Sequence, residues 1–256
     1  YVGRNDFMIY CFGCSFTEHT KTSFIDNTKT NFDRWPKVIE KETGIKTKNF
    51  GLAGQSNDYI STKIKYELLE NKPKVVLVAW TEWYRQTFLG SSSLNYSMAM
   101  ADPYWIDKES YWYKKNKFKI DKELNIINNF LEFFEFKKVN ITQSFVQHQI
   151  LNNYITIEHF CKSYDIPVFH LQALNPIPIH IKDKKPANIS SYNIEKEFYN
   201  YIHLFDKNFI GWPIFQSYGG FSINDILTYE YLISDKDRHP NELGHKFIAN
   251  LFLEKL

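Results

Sequence analysis

The sequence predicts an α/β protein with a mostly parallel sheet. Three observations carry this. Residues 7–12 and 75–79 are apolar throughout, as in strands covered on both faces; stretches of helical period lie between them; and a further helix-then-strand pair follows at 140–164 and 168–170.

The first run, Phe7 to Phe12 in sequence, ends at Gly13 and reads as a central strand. A short helix is expected over 34–43, with Trp35, Val38 and Ile39 apolar and Gly44 as its stop, followed by a second strand at 46–50. Residues 57–71 carry Ile60, Ile64, Leu68 and Leu69 at helical spacing, and Pro73 introduces the strand at 75–79. A helix over 140–164 places Ile141, Phe145, Ile150, Leu151, Ile155 and Phe160 near one face, and a turn leads to the fourth strand at 168–170. An irregular aromatic stretch at 198–221 and a closing helix at 241–256, with Phe247, Ile248, Leu251 and Phe252 inward, complete the chain. No internal repeat, low-complexity tract or polar linker divides it, so residues 1–256 read as a single domain. Two aromatic-rich insertions, about 86–139 and 175–235, follow the third and fourth strands on the edge where open α/β sheets bind ligands. They are expected to shape a pocket.

Composition excludes several classes. Lys+Arg 31 against Asp+Glu 29 leaves a formal charge of +2, far from the basic footprint of a nucleic-acid binder. No apolar run approaches the roughly 18 residues of a membrane span. The N-terminal stretch lacks the pattern of a signal peptide, so a soluble protein that is not secreted is expected. Three cysteines cannot all pair, and Cys11 and Cys14 read as members of one β run continuing to Ser15, which suits packing better than redox chemistry. At 18% the aromatic content exceeds what a core of this size requires, so some rings are expected to line a surface or cleft.

Three segments could carry chemistry. Gly13-Cys14-Ser15-Phe16-Thr17 places a hydroxyl where a strand gives way to a turn, with a glycine that lets the backbone bend and N–H groups that can face a reacting oxygen. The nucleophile elbow Gly-x-Ser-x-Gly is not matched, since Thr17 occupies the second glycine position. Residues 49–58 contain Gly51, Gly54 and Asn57 and open a helix, so they present free backbone N–H groups. Near the C-terminus His239 lies on the loop entering the last helix, with Asp237 two residues before it and Asp235 four before. A metal set of His239, Glu242 and His245 fails, because steps of three turn each side chain about 60° off one helical face. No metal or organic cofactor is expected.

Together these blocks resemble the SGNH hydrolase superfamily, the GDSL esterases, over most of the chain and in the same order. The resemblance implies a flavodoxin-like three-layer α/β/α sandwich. It also implies Ser15 as nucleophile, His239 as general base, Asp237 or Asp235 as the residue orienting it, and the N–H groups of Ser15 and Gly54 as oxyanion donors. The chain departs from the family pattern in three places: Cys14 stands at the usual aspartate, the Asp-to-His spacing is shortened, and Ala79-Trp80-Thr81-Glu82 replaces the block whose asparagine amide donates to the oxyanion. Asn57 or Arg85 could substitute, and Thr81 marks the altered position. The Trp-Thr segment followed by arginine is similar to a divergent branch found in phages and some bacteria, which implies a cytoplasmic or virion-associated protein.

The expected activity is hydrolysis of a carboxylic ester through an acyl-serine. A small-molecule or glycan substrate, in particular an O-acetylated carbohydrate, fits the rings of Trp80, Trp83, Tyr84 and the aromatic segment after them. Two other readings stay open: a structural or glycan-binding protein of the same fold with impaired catalysis, and a flavodoxin-like nucleotide or flavin binder using the hydroxyl-rich loop at 15–20.

Overall fold

The computed structural model describes residues 8–19, 22–23, 28–83, 85–89, 95–99, 146–176, 191–205 and 207–256, with backbone alone for 86–89, 95–99 and 191–193. In chain order the elements are β1 (Met8–Gly13), α1 (Trp35–Thr43), β2 (Lys46–Asn49), α2 (Asn57–Glu70), β3 (Val75–Trp80), β4 (Arg85–Leu89) and β5 (Asn95–Ala99). A π-helical segment (His148–Ile155) then continues as α3 (Thr156–Ser163), followed by β6 (Val168–Gln172), α4 (Ser191–Phe198), β7 (Phe209–Ile210), α5 (Ile223–Ile226) and α6 (Glu242–Leu253).

Five strands form one sheet in the order β2-β1-β3-β6-β7, and every neighbouring pair is parallel. Numbered within the sheet, this is the flavodoxin-like doubly wound order, whose ligand crevice lies at the carboxyl ends of the strands beside the first one. The unbroken apolar runs of β1 and β3 have a direct physical origin. Tyr10, Phe12, Val76, Val78 and Trp80 point to one face, where Ile60, Ile64 and Leu68 of α2 and Tyr154, Ile157 and Cys161 pack on them. Ile9, Cys11, Val75, Leu77 and Ala79 point to the other face, against Trp35, Val38 and Ile39 of α1 and Ile248, Ala249 and Phe252 of α6. Alternate residues therefore meet different helix layers, both apolar, and the α/β/α sandwich follows. The outer strand β2, with Lys46 and Lys48 exposed, closes one edge with charge.

Helix boundaries follow local chemistry. Gly44 ends α1 in the left-handed region at φ 68°. Ser56 caps α2 by accepting the Tyr59 N–H, and Asn241 caps α6 by accepting the Gly244 N–H at 3.1 Å.

The structure differs from sequence expectation at several points. β1 ends at Gly13, so Cys14 and Ser15 lie in a turn and not in a continuing β run. The described part of the expected helix 140–164 is not a uniform α-helix: its π segment turns Gln149 and Asn153 inward, where they meet polar groups of α2. The excursion at 175–235 contributes the fifth strand, β7, and the aromatic residues Phe198, Phe209 and Phe215 to the core. The excursion at 86–139 begins with the antiparallel pair β4 and β5, and residues 90–94 and 100–139 lie outside the described residues.

Candidate active site

β1 leads into a tight turn in which the N–H groups of Thr17 and Glu18 both donate to Cys14 O, at 2.9 and 3.0 Å. Gly13 is required there, because a Cβ would sit 2.1 Å from Thr17 Oγ1 and 2.9 Å from Ala79 O. Ser15 is half-buried at the carboxyl end of the strand, with its Oγ on Cys14 Sγ at 3.9 Å. Phe16 and Thr17 turn into the interior, and Trp35 Nε1 donates to Thr17 Oγ1 at 3.3 Å. Within this loop Phe16 and Thr17 are packed, while Ser15 and Glu18 stay half-buried and His19 is exposed.

The loop after β2 is locked onto that turn. Leu52 N–H donates to Gly13 O at 3.1 Å, Asn49 Nδ2 donates to Thr17 O at 2.7 Å, and Ala53 N–H donates to Glu18 Oε2 at 3.0 Å. Gly51 permits the approach, since a Cβ would lie 2.6 Å from Glu18 N. Gly54 follows, exposed, with φ 77°. Among the described residues, neither the Ser15 nor the Gly54 N–H donates to a protein acceptor.

His239 comes from the opposite end of the chain. A closed loop brings it in: Ile233 N–H donates to His239 O, Ser234 N–H to Asp237 O and Asn241 N–H to Tyr231 O, while Asn241 Nδ2 also holds Glu230 O and Leu232 O. His239 Nδ1 lies 2.5 Å from Asp237 Oδ1, which accepts the His239 backbone N–H as well, at 3.1 Å. An ionised carboxylate has only acceptors, so Nδ1 carries the proton and Nε2 is the basic nitrogen. The imidazole packs on Phe16 with ring centroids 5.4 Å apart, which brings it beside the residue following Ser15. Asp235 is exposed and faces Tyr229 instead. Of the two aspartates, Asp237 is the one on the histidine.

Electrostatics tie the cluster together. Burial pushes the Asp237 carboxyl up, but hydrogen bonding and charge from His239, with the Ser23 hydroxyl, outweigh this and hold it below the ordinary aspartate range. Glu18 is raised by burial, against the opposing pull of Ala53 N–H, Arg34 and His239. Buried Arg34 is lowered by desolvation, partly offset by Asp237 and Glu18. Its Nη1 lies 2.9 Å from His245 Nε2, and burial together with the charges of Arg34 and His239 drives His245 well below the ordinary histidine value. Arg34 and Glu18 were not legible as site residues, and His245 was weighed only in the metal set that fails, because each is a single polar residue that gains meaning only when the chain ends meet.

Other sequence candidates occupy different roles. Asn57 is fully buried: Nδ2 donates to Thr81 O at 3.2 Å and to Gln149 Oε1 at 2.9 Å, and Oδ1 accepts Thr81 N–H at 2.9 Å. Both amide hydrogens are committed to the core, away from an oxyanion. Thr81 is fully buried, and among the described residues its Oγ1 has no partner. Arg85 Nε donates to Glu82 Oε2 at 2.8 Å and the guanidinium lies against the Cys14 thiol. Trp80 and Trp83, expected to line a substrate surface, are core residues instead. Their indole N–H groups donate to His170 Nδ1 at 3.1 Å and Tyr154 OH at 2.7 Å. Both rings are fully buried, so neither has a face left for a ligand. Tyr84 lies outside the described residues. Among the described residues no group of three or more His, Cys, Asp or Glu is arranged to hold a metal ion, and no helix is long and apolar enough to cross a membrane.

No protein-family model and no curated protein matches the chain. Solved structures similar to it include a lipolytic protein of the G-D-S-L family from Desulfitobacterium hafniense, at 13% identity over 98% of this chain and 100% of that one, with a TM-score of 0.45. A family 3 carbohydrate esterase from Clostridium thermocellum is 13% identical over 98% and 94% of the two chains, with a TM-score of 0.41. An acetyl xylan esterase from Geobacillus stearothermophilus is 12% identical over 99% and 95%, with a TM-score of 0.41.

Proposed function

We propose that this chain is a serine hydrolase of the SGNH kind that cleaves a carboxylic ester. The observation that carries the reading is the Asp237–His239 pair: a buried carboxylate at 2.5 Å from Nδ1, leaving Nε2 basic on a ring that packs on Phe16 beside Ser15. Neither Ser15 nor His239 alone would distinguish a nucleophile from an ordinary turn residue.

In the proposed reaction Ser15 Oγ attacks the ester carbonyl carbon while His239 Nε2 takes the hydroxyl proton. The carbonyl π electrons move to oxygen, and the N–H groups of Ser15 and Gly54 receive that charge. Collapse expels the alcohol, which takes the proton from the imidazolium. Water then attacks the acyl-serine, giving its proton to the same nitrogen, and the carboxylic acid leaves with Ser15 restored. Before attack the serine hydroxyl must leave Cys14 Sγ and turn to His239. With Asn57 committed elsewhere and Thr81 at the position of the family's amide donor, that donation is expected to be lost, and one such donor is worth about 2.7–4 kcal/mol of transition-state stabilisation. A slow esterase is the expected phenotype. The substrate class to test first is an O-acetylated carbohydrate, because the sequence gathers Tyr96, Tyr104, Trp105, Tyr111, Trp112 and Tyr113 in the segment after β4.

A second reading, a glycan-binding or structural protein on the same fold, is favoured by Thr81 standing where the amide donor belongs. Labelling with a fluorophosphonate separates the two. Modification that disappears in Ser15→Ala and in His239→Ala supports the hydrolase, whereas folded, unlabelled protein supports the second reading.

A further inference from the structure

Glu18 lies three residues beyond Ser15 on the same loop, and its carboxylate is turned into the space between that loop and the one bearing Gly54. Oε2 accepts Ala53 N–H at 3.0 Å, a charge-assisted bond across the two loops. Leu52 and Asn49 tie the start of this loop, but among the described residues no other hydrogen bond reaches Ala53 or Gly54 themselves. Gly54 is exposed at φ 77° with nothing within 4 Å of where a Cβ would stand, and the bond closing the turn, Gln55 N–H to Leu52 O, is long at 3.4 Å. A turn of this kind samples several peptide orientations unless an outside group fixes one. Drawing a carboxylate partly out of water costs free energy, and here the bond to Ala53 and the nearby charges of Arg34 and His239 offset that cost only in part, so the carboxyl stays raised.

We infer that Glu18 is a positioning residue: by holding Ala53 N–H it fixes the adjoining Gly54 peptide against the nucleophile loop, so that an oxyanion donor is aligned before substrate arrives. The catalytic meaning of this rests on the ester-hydrolase reading. The loop brace itself does not.

The test uses p-nitrophenyl acetate and the full chain. Glu18→Ala is expected to lower kcat by about tenfold or more with KM within about twofold, less than the 10²–10³ of losing a donor outright, because the N–H remains but is unaligned. Hydrogen exchange at the Ala53 amide should accelerate in the same variant. Glu18→Gln, whose side-chain oxygen still accepts that N–H, should recover most of the loss in both readouts and guards against a mere folding defect. Undiminished kcat in Glu18→Ala, or a fall in kcat with Ala53 exchange unchanged, overturns the inference. If the unsubstituted protein neither hydrolyses the ester nor takes a fluorophosphonate label, the hydrolase reading fails separately, and an Ala53 amide equally protected in Glu18→Ala then overturns the brace as well.

Discussion

One oxygen of Asp237, Oδ1, binds His239 twice, at the ring Nδ1 and at the backbone N–H. The double contact fixes both the rotation of the imidazole and the position of its Cα, so Nε2 is aimed without help from substrate. Asp237→Asn keeps the shape but no longer enforces the proton on Nδ1. An expected fall in kcat of about 10³–10⁴ with little change in KM follows from losing the correct tautomer. Asp235→Asn, at an exposed position beside Tyr229, should stay within about twofold. Steady-state kinetics of the two variants decides which aspartate serves the histidine.

The two loops that meet at Ser15 are held by close backbone approach, and this makes a contrast between two glycines. Gly51→Ala would put a methyl 2.6 Å from Glu18 N and Thr17 C, both backbone atoms that cannot yield cheaply. Destabilisation of about 1–3 kcal/mol is expected, with a larger proportional loss of activity as the loops part. Gly54→Ala meets nothing within 4 Å and should cost only the left-handed strain of about 1–2 kcal/mol. Urea unfolding curves read beside kcat test both.

How much of this was legible in the sequence depends on how local each signal was. β1 and β3 could be read because burial on two faces leaves an uninterrupted apolar run, and the starts of α2 and α6 could be placed at 57 and 241 from the helical spacing that follows. β7 could not: Phe209 and Ile210 are too few to show a strand period, and they become a strand only by pairing with His170 and Leu171 of β6. The π segment was hidden for a related reason. Gln149 and Asn153 look like polar residues misplaced on an apolar stripe until the wider helix carries them to Asn57 and Asp58. Trp80 and Trp83 were misread because an aromatic residue near a sheet edge carries no local mark of whether its ring faces a ligand or the core.

The core polar chain that took up Trp83 gives a stability prediction. Tyr154 OH accepts from Trp83 Nε1 at 2.7 Å and donates to Gln172 Oε1 at 2.6 Å, all three residues being fully buried. Tyr154→Phe removes the acceptor of one and the donor of the other while preserving the ring. Each buried group that loses its partner costs about 1–3 kcal/mol, so for the two a loss of about 2–6 kcal/mol is expected, measured by denaturant midpoint at constant m.

The Arg34–His245 contact predicts an acid sensitivity with a definite sign. Arg34 has only donors, so His245 Nε2 must accept, which requires a neutral imidazole; protonation would set two cations together in the interior. The folded pKa therefore lies well below the ordinary value of about 6.5 that applies to the unfolded chain. Below that value the unfolded state binds a proton that the folded state does not. The stabilisation is thus complete above about pH 6.5 and declines as pH falls toward the depressed folded value, by no more than about 1.4 kcal/mol per pH unit for one proton. In His245→Gln the side-chain oxygen still accepts from Arg34 but nothing titrates. Between pH 7 and 5, above the range where most carboxylates protonate, its unfolding free energy should fall less steeply than that of the unsubstituted protein. Parallel slopes in pH-dependent urea denaturation would mean that His245 does not set this dependence.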